Sequence, residues 1–381
     1  MIEKYYNGVI EQVAGGIGNV EHNSILVRYS NDFSIWDLES VNHYKDQTDI
    51  FFTCHEFSYN KIAEAYEPYL GLIRQMFHKY CSGTLEEFME ECDVYKLQRP
   101  VFESYFEKGF CERTEQILID EVEYEQERMR NSIVTMLQKL SEIRPVVIVL
   151  NRFQLASKST MQLSNSLLQV KNKNIGIVLG VNDVQSIPEF AHEEWDAICE
   201  SMDDRNMVYH IGNAGRNMEP DVMDYYSDYE SDDGYRKLNN LVYFLDFDQA
   251  NHHLSKIERR IKFDNFTISE KKHYQLLLLQ IMVSVLQRDI AKALESCEDL
   301  EKLQDQEKEG AFYYNFWMAT SYMYLGKLEE AMIYVQKAKE CGEALGDDFL
   351  VFRAELLKAQ NQMSGLCNIF FCAQDIEISD K

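Results

Sequence analysis

Hydrophobic positions in the first half of the chain fall into two patterns. Five short runs are apolar or β-branched with little polar alternation: Ile25 to Arg28 (ILVR), Ile50 to Thr53 (IFFT), Val146 to Leu150 (VVIVL), Ile175 to Leu179 (IGIVL) and Met207 to Ile211 (MVYHI). Unbroken runs of this kind suit strands buried on both faces of a parallel sheet. Between them the apolar residues take helical spacing, the longest stretch running from about Arg113 to Ile143. Strand–helix–strand alternation predicts a layered α/β domain.

Beyond Tyr235 the pattern is of amphipathic helix pairs, and it repeats. Ala250, Ala293 and Ala331 align, 43 and 38 residues apart. The last copy carries Ala319, Tyr322, Gly326, Ala331, Val335 and Ala338. In a helical hairpin, small residues are needed where two helices cross closely, and a glycine ends the first helix without a Cβ penalty. These six positions resemble the tetratricopeptide repeat. The two earlier copies place Leu238 and Ile281 where Ala319 stands, and Gly346-Asp347-Asp348 followed by Phe352 to Met363 reads as the opening of a fourth hairpin.

A block from Glu219 to Asp233 (EPDVMDYYSDYESDD) holds seven acids and no base. Such a block reads as a solvated linker or loop, and its acids lack the alternate spacing of a calcium loop. The expected organisation is a helix and turn over 1–23, an α/β domain over 24–215, an acidic linker over 216–234 and helical repeats over 235–381.

Composition narrows the function classes. The chain has 381 residues, enough for two or three domains, and a net charge of −26. That balance speaks against a nucleic-acid surface, which needs clustered Lys and Arg, and against docking on anionic lipid. No window approaches 18 uninterrupted apolar residues and the start lacks a signal-peptide core. The nine cysteines are scattered in apolar or helical stretches, as in reduced cytosolic proteins. A cytoplasmic protein is expected.

The segment PVVIVLNRFQLASKSTMQLSNSLL, Pro145 to Leu168, resembles the Walker B region of the STAND and AAA-like ATPases. There an apolar strand ends in two acids, followed by a leucine, a polar residue, Trp, Ala, Asp and a leucine-rich helix. Phe153, Gln154, Leu155, Ala156 and Ser157 follow the same rhythm. NIGIVLGVN, from Asn174 to Asn182, stands in the place of the sensor strand, and Phe51 to Phe77 resembles the segment after the second strand. The resemblance covers residues 24 to 215 and implies a P-loop-NTPase-like parallel sheet, followed here by an all-α tetratricopeptide-like solenoid.

The chemistry of that family is missing. The two positions that would hold Mg²⁺ and orient water are Asn151 and Arg152; an amide is a poor ligand for a hard cation and a guanidinium repels it. Where a glycine-rich phosphate loop should follow the first strand stands RYSNDFSIWDL, Arg28 to Leu38, without glycine or lysine. Its Asp32 and Asp37 would repel phosphate. Gly15-Gly16-Ile17-Gly18-Asn19 precedes the strand and lacks the lysine, and no GxxxxGK[ST] occurs. Asn151 and Arg152 are therefore vestigial Walker B positions, and no catalytic residue, cofactor or metal is expected.

Other constellations read as structural. His252 and His253, adjacent on a helix, point about 100° apart; Cys367 and Cys372 have no companion pair; Cys54-His55 would face opposite sides of a strand. The expected function is a non-catalytic signalling or scaffold protein with an inactive nucleotide-fold domain. Its helical repeats would bind a protein or peptide on a face including Tyr313, Phe316, Thr320 and Met323. The chain closes on IEISDK without an evident polar capping helix, so a fragment, or pairing with another chain through that end, is expected. The alternative is a nucleotide- or small-molecule-controlled switch of a larger regulator, with Arg28, Lys45 and Arg152 supplying positive charge, the output domain being absent from this chain.

Overall fold

The computed structural model describes residues 2–30, 34–45, 49–58, 61–111, 122–182, 187–205, 207–211, 231–263 and 267–379, with the side chains of 364–379 left aside. The chain divides into two compact units, residues 1–249 and 250–381.

In the first unit, α1 (Ile2–Gly16) leads to β1 (Ser24–Tyr29), a 3₁₀ turn at Ile35–Asp37 and α2 (Glu39–Lys45). After β2 (Phe51–Glu56) come α3 (Tyr69–Tyr80), α4 (Leu85–Glu91), α5 (Arg99–Lys108) and α6 (Val122–Ile143). Then β3 (Val146–Asn151), α7 (Lys158–Gln169), β4 (Ile175–Asn182), α8 (His192–Asp203) and β5 (Val208–Ile211) alternate, and α9 (Asp232–Tyr243) follows. Each of the five apolar runs forms a strand. The long helix begins at Val122 among the described residues, and most of the acidic block, 219–230, lies outside them.

All four strand pairings are parallel, and the order is β2-β3-β4-β1-β5. β3 and β4 are buried along their whole length, whereas the edge strands β2 and β5 are largely half-buried. That is why their sequences differ: an inner strand of a two-sided sheet has no polar face to show. The connection from β1 to β2 runs one way along the sheet and the next three run the other way. Right-handed crossovers then put α2 on one face and the later helices on the opposite one. On the first face α1 and α2 cover the sheet, Tyr6, Ile10 and Val13 packing with Val27, Val147, Val149 and Val178. The alternate residues Ile148, Leu150, Ile177 and Leu179 point the other way and are equally buried.

α10 (Phe247–Phe263) bridges the boundary between the units in sequence. The second unit continues with α11 (Glu270–Leu286), α12 (Ile290–Glu301), α13 (Gly310–Tyr324), α14 (Leu328–Leu345) and α15 (Asp348–Ser379), each packed on the next. The three-residue connections between α11 and α12 and between α13 and α14 make antiparallel pairs.

The repeat is visible in the backbone. The turns after α9, α11 and α13 each hold one left-handed residue, Leu245 (φ 65°), Arg288 (φ 65°) and Gly326 (φ 72°), spaced 43 and 38 apart like the three alanines. The next amide in each turn bonds back to the same helical position: Asp246 to Leu241 O (2.8 Å), Asp289 to Ser284 O (2.8 Å) and Lys327 to Tyr322 O (2.9 Å). The left-handed residue itself donates to Val242 O (3.1 Å), Val285 O (3.1 Å) and Met323 O (3.0 Å). These are three copies of one Schellman turn. Ala250, Ala293 and Ala331, five residues beyond each turn, are fully buried, as are the close-crossing positions Leu238, Ile281 and Ala319. α15 starts at Asp348, where the fourth opening was expected, with Asp347 Oδ1 accepting from the amides of Phe349 and Leu350 (3.0 and 3.2 Å). No described helix is long and apolar enough to cross a membrane.

Candidate functional site

Ligands of open α/β sheets bind beyond the carboxyl ends of the strands. Here β1, β2 and β3 end in Tyr29, Glu56 and Asn151, and these ends are joined by side chains. Asn151 is fully buried, and its Oδ1 accepts the Tyr29 hydroxyl at 2.7 Å. Its Nδ2 is buried with no hydrogen-bond partner among the described residues. Tyr6, from α1, lies over the same spot. A Cβ on Gly180 of β4 would collide with the Tyr6 hydroxyl and stand 2.6 Å from Asn151 Oδ1. Only a glycine there lets the phenol and the amide share the space. Burial, reinforced by the neighbouring Tyr29 phenol, holds the Tyr6 hydroxyl well above its ordinary pKa, so it stays protonated.

Arg152 turns the chain out of β3 in the left-handed region (φ 53°), and its guanidinium pairs with Glu56 Oε1 at 3.1 Å. Glu56 Oε2 accepts the Ile35 amide at 3.1 Å and the Ser34 hydroxyl at 3.4 Å, which fastens the 3₁₀ turn after β1 to the end of β2. The end of β3 therefore carries an amide held by a phenol, Asn151 with Tyr29, and a cation paired with a carboxylate, Arg152 with Glu56. The nearby carboxylate, Glu56, is engaged by Arg152 and by the turn. Among the described residues no group of three or more His, Cys, Asp or Glu is placed to hold a metal ion.

The glycine cluster lies at the other end of the sheet, closing α1 and leading into β1. The Gly18 amide bonds to Lys173 O at 2.8 Å, and the Asn23 side chain donates to Val13 O at 2.6 Å. A Cβ on Gly16 would strike that side chain. These glycines serve close packing at the amino edge. Of Arg28 to Leu38, 31–33 lie outside the described residues.

A second polar cluster, not singled out by the sequence, borders the end of β2. Glu64 Oε2 accepts from Asn240 of α9 at 2.9 Å, and the Glu64 amide donates to Glu67 Oε2 at 3.0 Å. His55 Nε2 stands 3.5 Å from Glu67 Oε1. Burial, then the neighbouring Glu67, raise Glu64 to about 7, and burial raises Glu67 as well. Burial, then Lys237 and Lys61, lower His55 to about 4, so it is neutral at pH 7. The sequence signal was two acids three apart just before a proline, EAYEP.

The same corner receives the amino end of α7. Ser157 caps it, accepting from the Thr160 amide at 3.3 Å and donating to Glu64 O at 2.8 Å. Buried Asp246, in the turn after α9, accepts the Ser159 amide at 2.8 Å, and Lys158 pairs with Asp248 at 2.6 Å. The helix that follows β3 thus grips the turn between α9 and α10.

In the helical unit, Tyr313, Phe316 and Thr320 are buried (5, 2 and 2 % exposed), and Met323 is half-buried. The Arg353 guanidinium of α15 lies over Phe316 at 4.5 Å and Tyr313 at 5.7 Å, and the Thr320 hydroxyl donates to Phe316 O at 2.8 Å. Tyr313 and Phe316 thus lie against Arg353 of α15, while the Thr320 hydroxyl stays within its own helix. His252 and His253 meet edge-on with centroids 5.5 Å apart. Cys367 and Cys372 belong to the stretch whose side chains are left aside.

Neither a protein-family model nor a curated protein matches this sequence. The functional reading therefore rests on the geometry.

Proposed function

We propose that the protein is a non-catalytic signalling or scaffold component: an inactive module of the STAND and AAA-like kind joined to tetratricopeptide-like repeats that bind a protein or peptide partner. The observation that carries this reading is the pairing of side chains at the carboxyl ends of β1, β2 and β3 among the described residues. Tyr29 is hydrogen-bonded to Asn151, and Arg152 is paired with Glu56. Phosphate binding needs free backbone amides and positive charge, and hydrolysis needs a metal held by carboxylates. Here the amide of Ile35, in the 3₁₀ turn after β1, is engaged by a carboxylate of the protein itself.

The nucleotide-fold ancestry is supported by adjacency. β3, β4 and β1, which the resemblance assigns to Walker B, sensor and phosphate loop, take consecutive places in the sheet, with β4 between the other two. The repeat assignment is supported by the threefold Schellman turn and its buried alanines. A steady-state phosphate-release assay with ATP and GTP tests the reading. Release no faster than from buffer agrees with it, and protein-dependent turnover abolished by Arg152→Ala or Asn151→Ala refutes it.

A further inference from the structure

β2 is an edge of the sheet, with β3 on one side and no described strand on the other. The ladder fixes which of its backbone groups face outward. The Phe51 amide donates to Pro145 O at 2.7 Å, and the Phe57 amide to Asn151 O at 3.1 Å. In a parallel ladder alternate residues turn their backbone groups to the same neighbour, so Phe51, Thr53 and His55 serve β3. The N–H and C=O groups of Phe52, Cys54 and Glu56 therefore point to the open side. Such an edge is a template for one more strand.

A groove of about 590 Å³ lies at the start of this edge, where Ile50, Phe51 and Phe52 line it together with the last turns of α2 and α3. Its charge is of one sign. No lining residue is Asp or Glu, in a chain of 64 acids and 38 bases, and Asp49 beside Ile50 does not line it. Lys45 of α2 and Lys79 of α3 are exposed and make no ion pair among the described residues. Lys79 Nζ lies over the rings of Phe51 and Tyr80, at 5.8 and 5.3 Å. The other polar lining residues are Gln75, Arg74 and His78. Arg74 donates to Phe106 O (2.6 Å) and Glu107 O (3.1 Å), and His78 Nε2 is 3.3 Å from Phe106 O. These oxygens are uncharged carbonyls, so the Arg74 charge is not neutralised. Cations beside an open edge turn away neutral and basic strands but attract an acidic one.

We propose that the open edge of β2 takes up an acidic segment of a partner protein in extended form, as one further strand of the sheet. The segment's backbone pairs with Phe52 and Cys54, and its carboxylates meet Lys45 and Lys79. Side chains of an added strand alternate between the two faces, so acids at adjacent positions reach the α2 lysine and the α3 lysine. A nucleic acid or lipid headgroup would match the charge but not the row of backbone donors and acceptors. The site lies at the amino end of β2, apart from the Tyr29–Asn151 pair and from the repeats. It depends on neither part of the proposed function.

The test is a titration of the full chain with a labelled, end-capped peptide VEEVVEEV, and in parallel with VKKVVKKV, which has the same pattern and opposite charge. Affinity is read by fluorescence anisotropy, and solvent exchange of the Phe52 and Cys54 amides by NMR. The acidic peptide should bind saturably, about ten-fold tighter than the basic one or more, and should slow exchange at both amides. Lys45→Glu combined with Lys79→Glu, both at exposed positions, should abolish the preference. No saturable binding of the acidic peptide, equal affinity for the two, or binding that leaves both amides exchanging as before overturns the proposal. Capture of the peptide by the repeats alone gives the last of these results. The comparison of peptides needs no variant to fold.

Discussion

The Tyr29 hydroxyl, at the end of β1, donates to the Asn151 side-chain oxygen, at the end of β3, across 122 positions of sequence. β1 and β3 are not neighbours in the sheet, since β4 lies between them. The bond therefore arches over β4, and Gly180 leaves it room. Both partners are buried, so the pair matters more when broken than its modest net strength suggests.

Tyr29→Phe removes the donor and leaves Asn151 with neither oxygen nor nitrogen paired. A loss of about 1–3 kcal/mol is expected, read as a lowered denaturant midpoint for the α/β unit. An unchanged midpoint would mean that the bond contributes nothing.

Gly180→Ala drives a methyl into the Tyr6 hydroxyl and the Asn151 oxygen and is expected to destabilise. Because the closer obstacle is the phenolic oxygen, the same substitution in a Tyr6→Phe background should cost less than in the unmodified protein. The two effects should be non-additive by about 0.5 kcal/mol or more, as contacting residues are. Strict additivity in a double-mutant cycle would refute the packing argument.

Glu64 gives a pH dependence with a definite sign. Its folded pKa of about 7 lies above the unfolded value of about 4.5, so between these limits the folded state holds more protons. Stability contributed through this group is full below about pH 4.5 and declines as pH rises to about 7, by at most about 3 kcal/mol. Glu64→Gln should flatten that part of the stability–pH curve. A slope unchanged by the substitution would show that Glu64 does not titrate there.

Gly326 tests the repeat turn. A Cβ at this position meets nothing within 4 Å, so Gly326→Ala should cost only the backbone strain of a left-handed alanine, about 1 kcal/mol. Thermal melts of the variant give the number, and a neutral result would mean that the turn relaxes.

The sheet was legible in the sequence because inner strands of a parallel sheet need apolar residues on both faces. VVIVL and IGIVL have no other comfortable setting, and even the shorter runs ILVR and IFFT marked their strands. That β3 ends in the polar pair Asn151 and Arg152 was legible from the sequence. What surrounds that pair was not: Tyr6, Tyr29, Glu56 and Gly180 come from four elements, and nothing local in their sequence announces the meeting. In the repeats, Gly326 was legible as a helix stop, whereas Leu245 and Arg288 adopt the same left-handed turn without a glycine to mark it. The face of Tyr313, Phe316 and Thr320 followed from helical offsets, but periodicity tells only which residues share a face. That Arg353 lies against this face is a matter of tertiary packing.

The proposed function requires that the carboxyl edge of the sheet does not take nucleotide. Isothermal titration of the full chain with Mg-ATP, Mg-ADP and Mg-GTP tests it most directly. No saturable heat up to millimolar nucleotide is the expected result. Micromolar binding that weakens in Arg152→Ala would contradict the account and make the end of β3 a working nucleotide site.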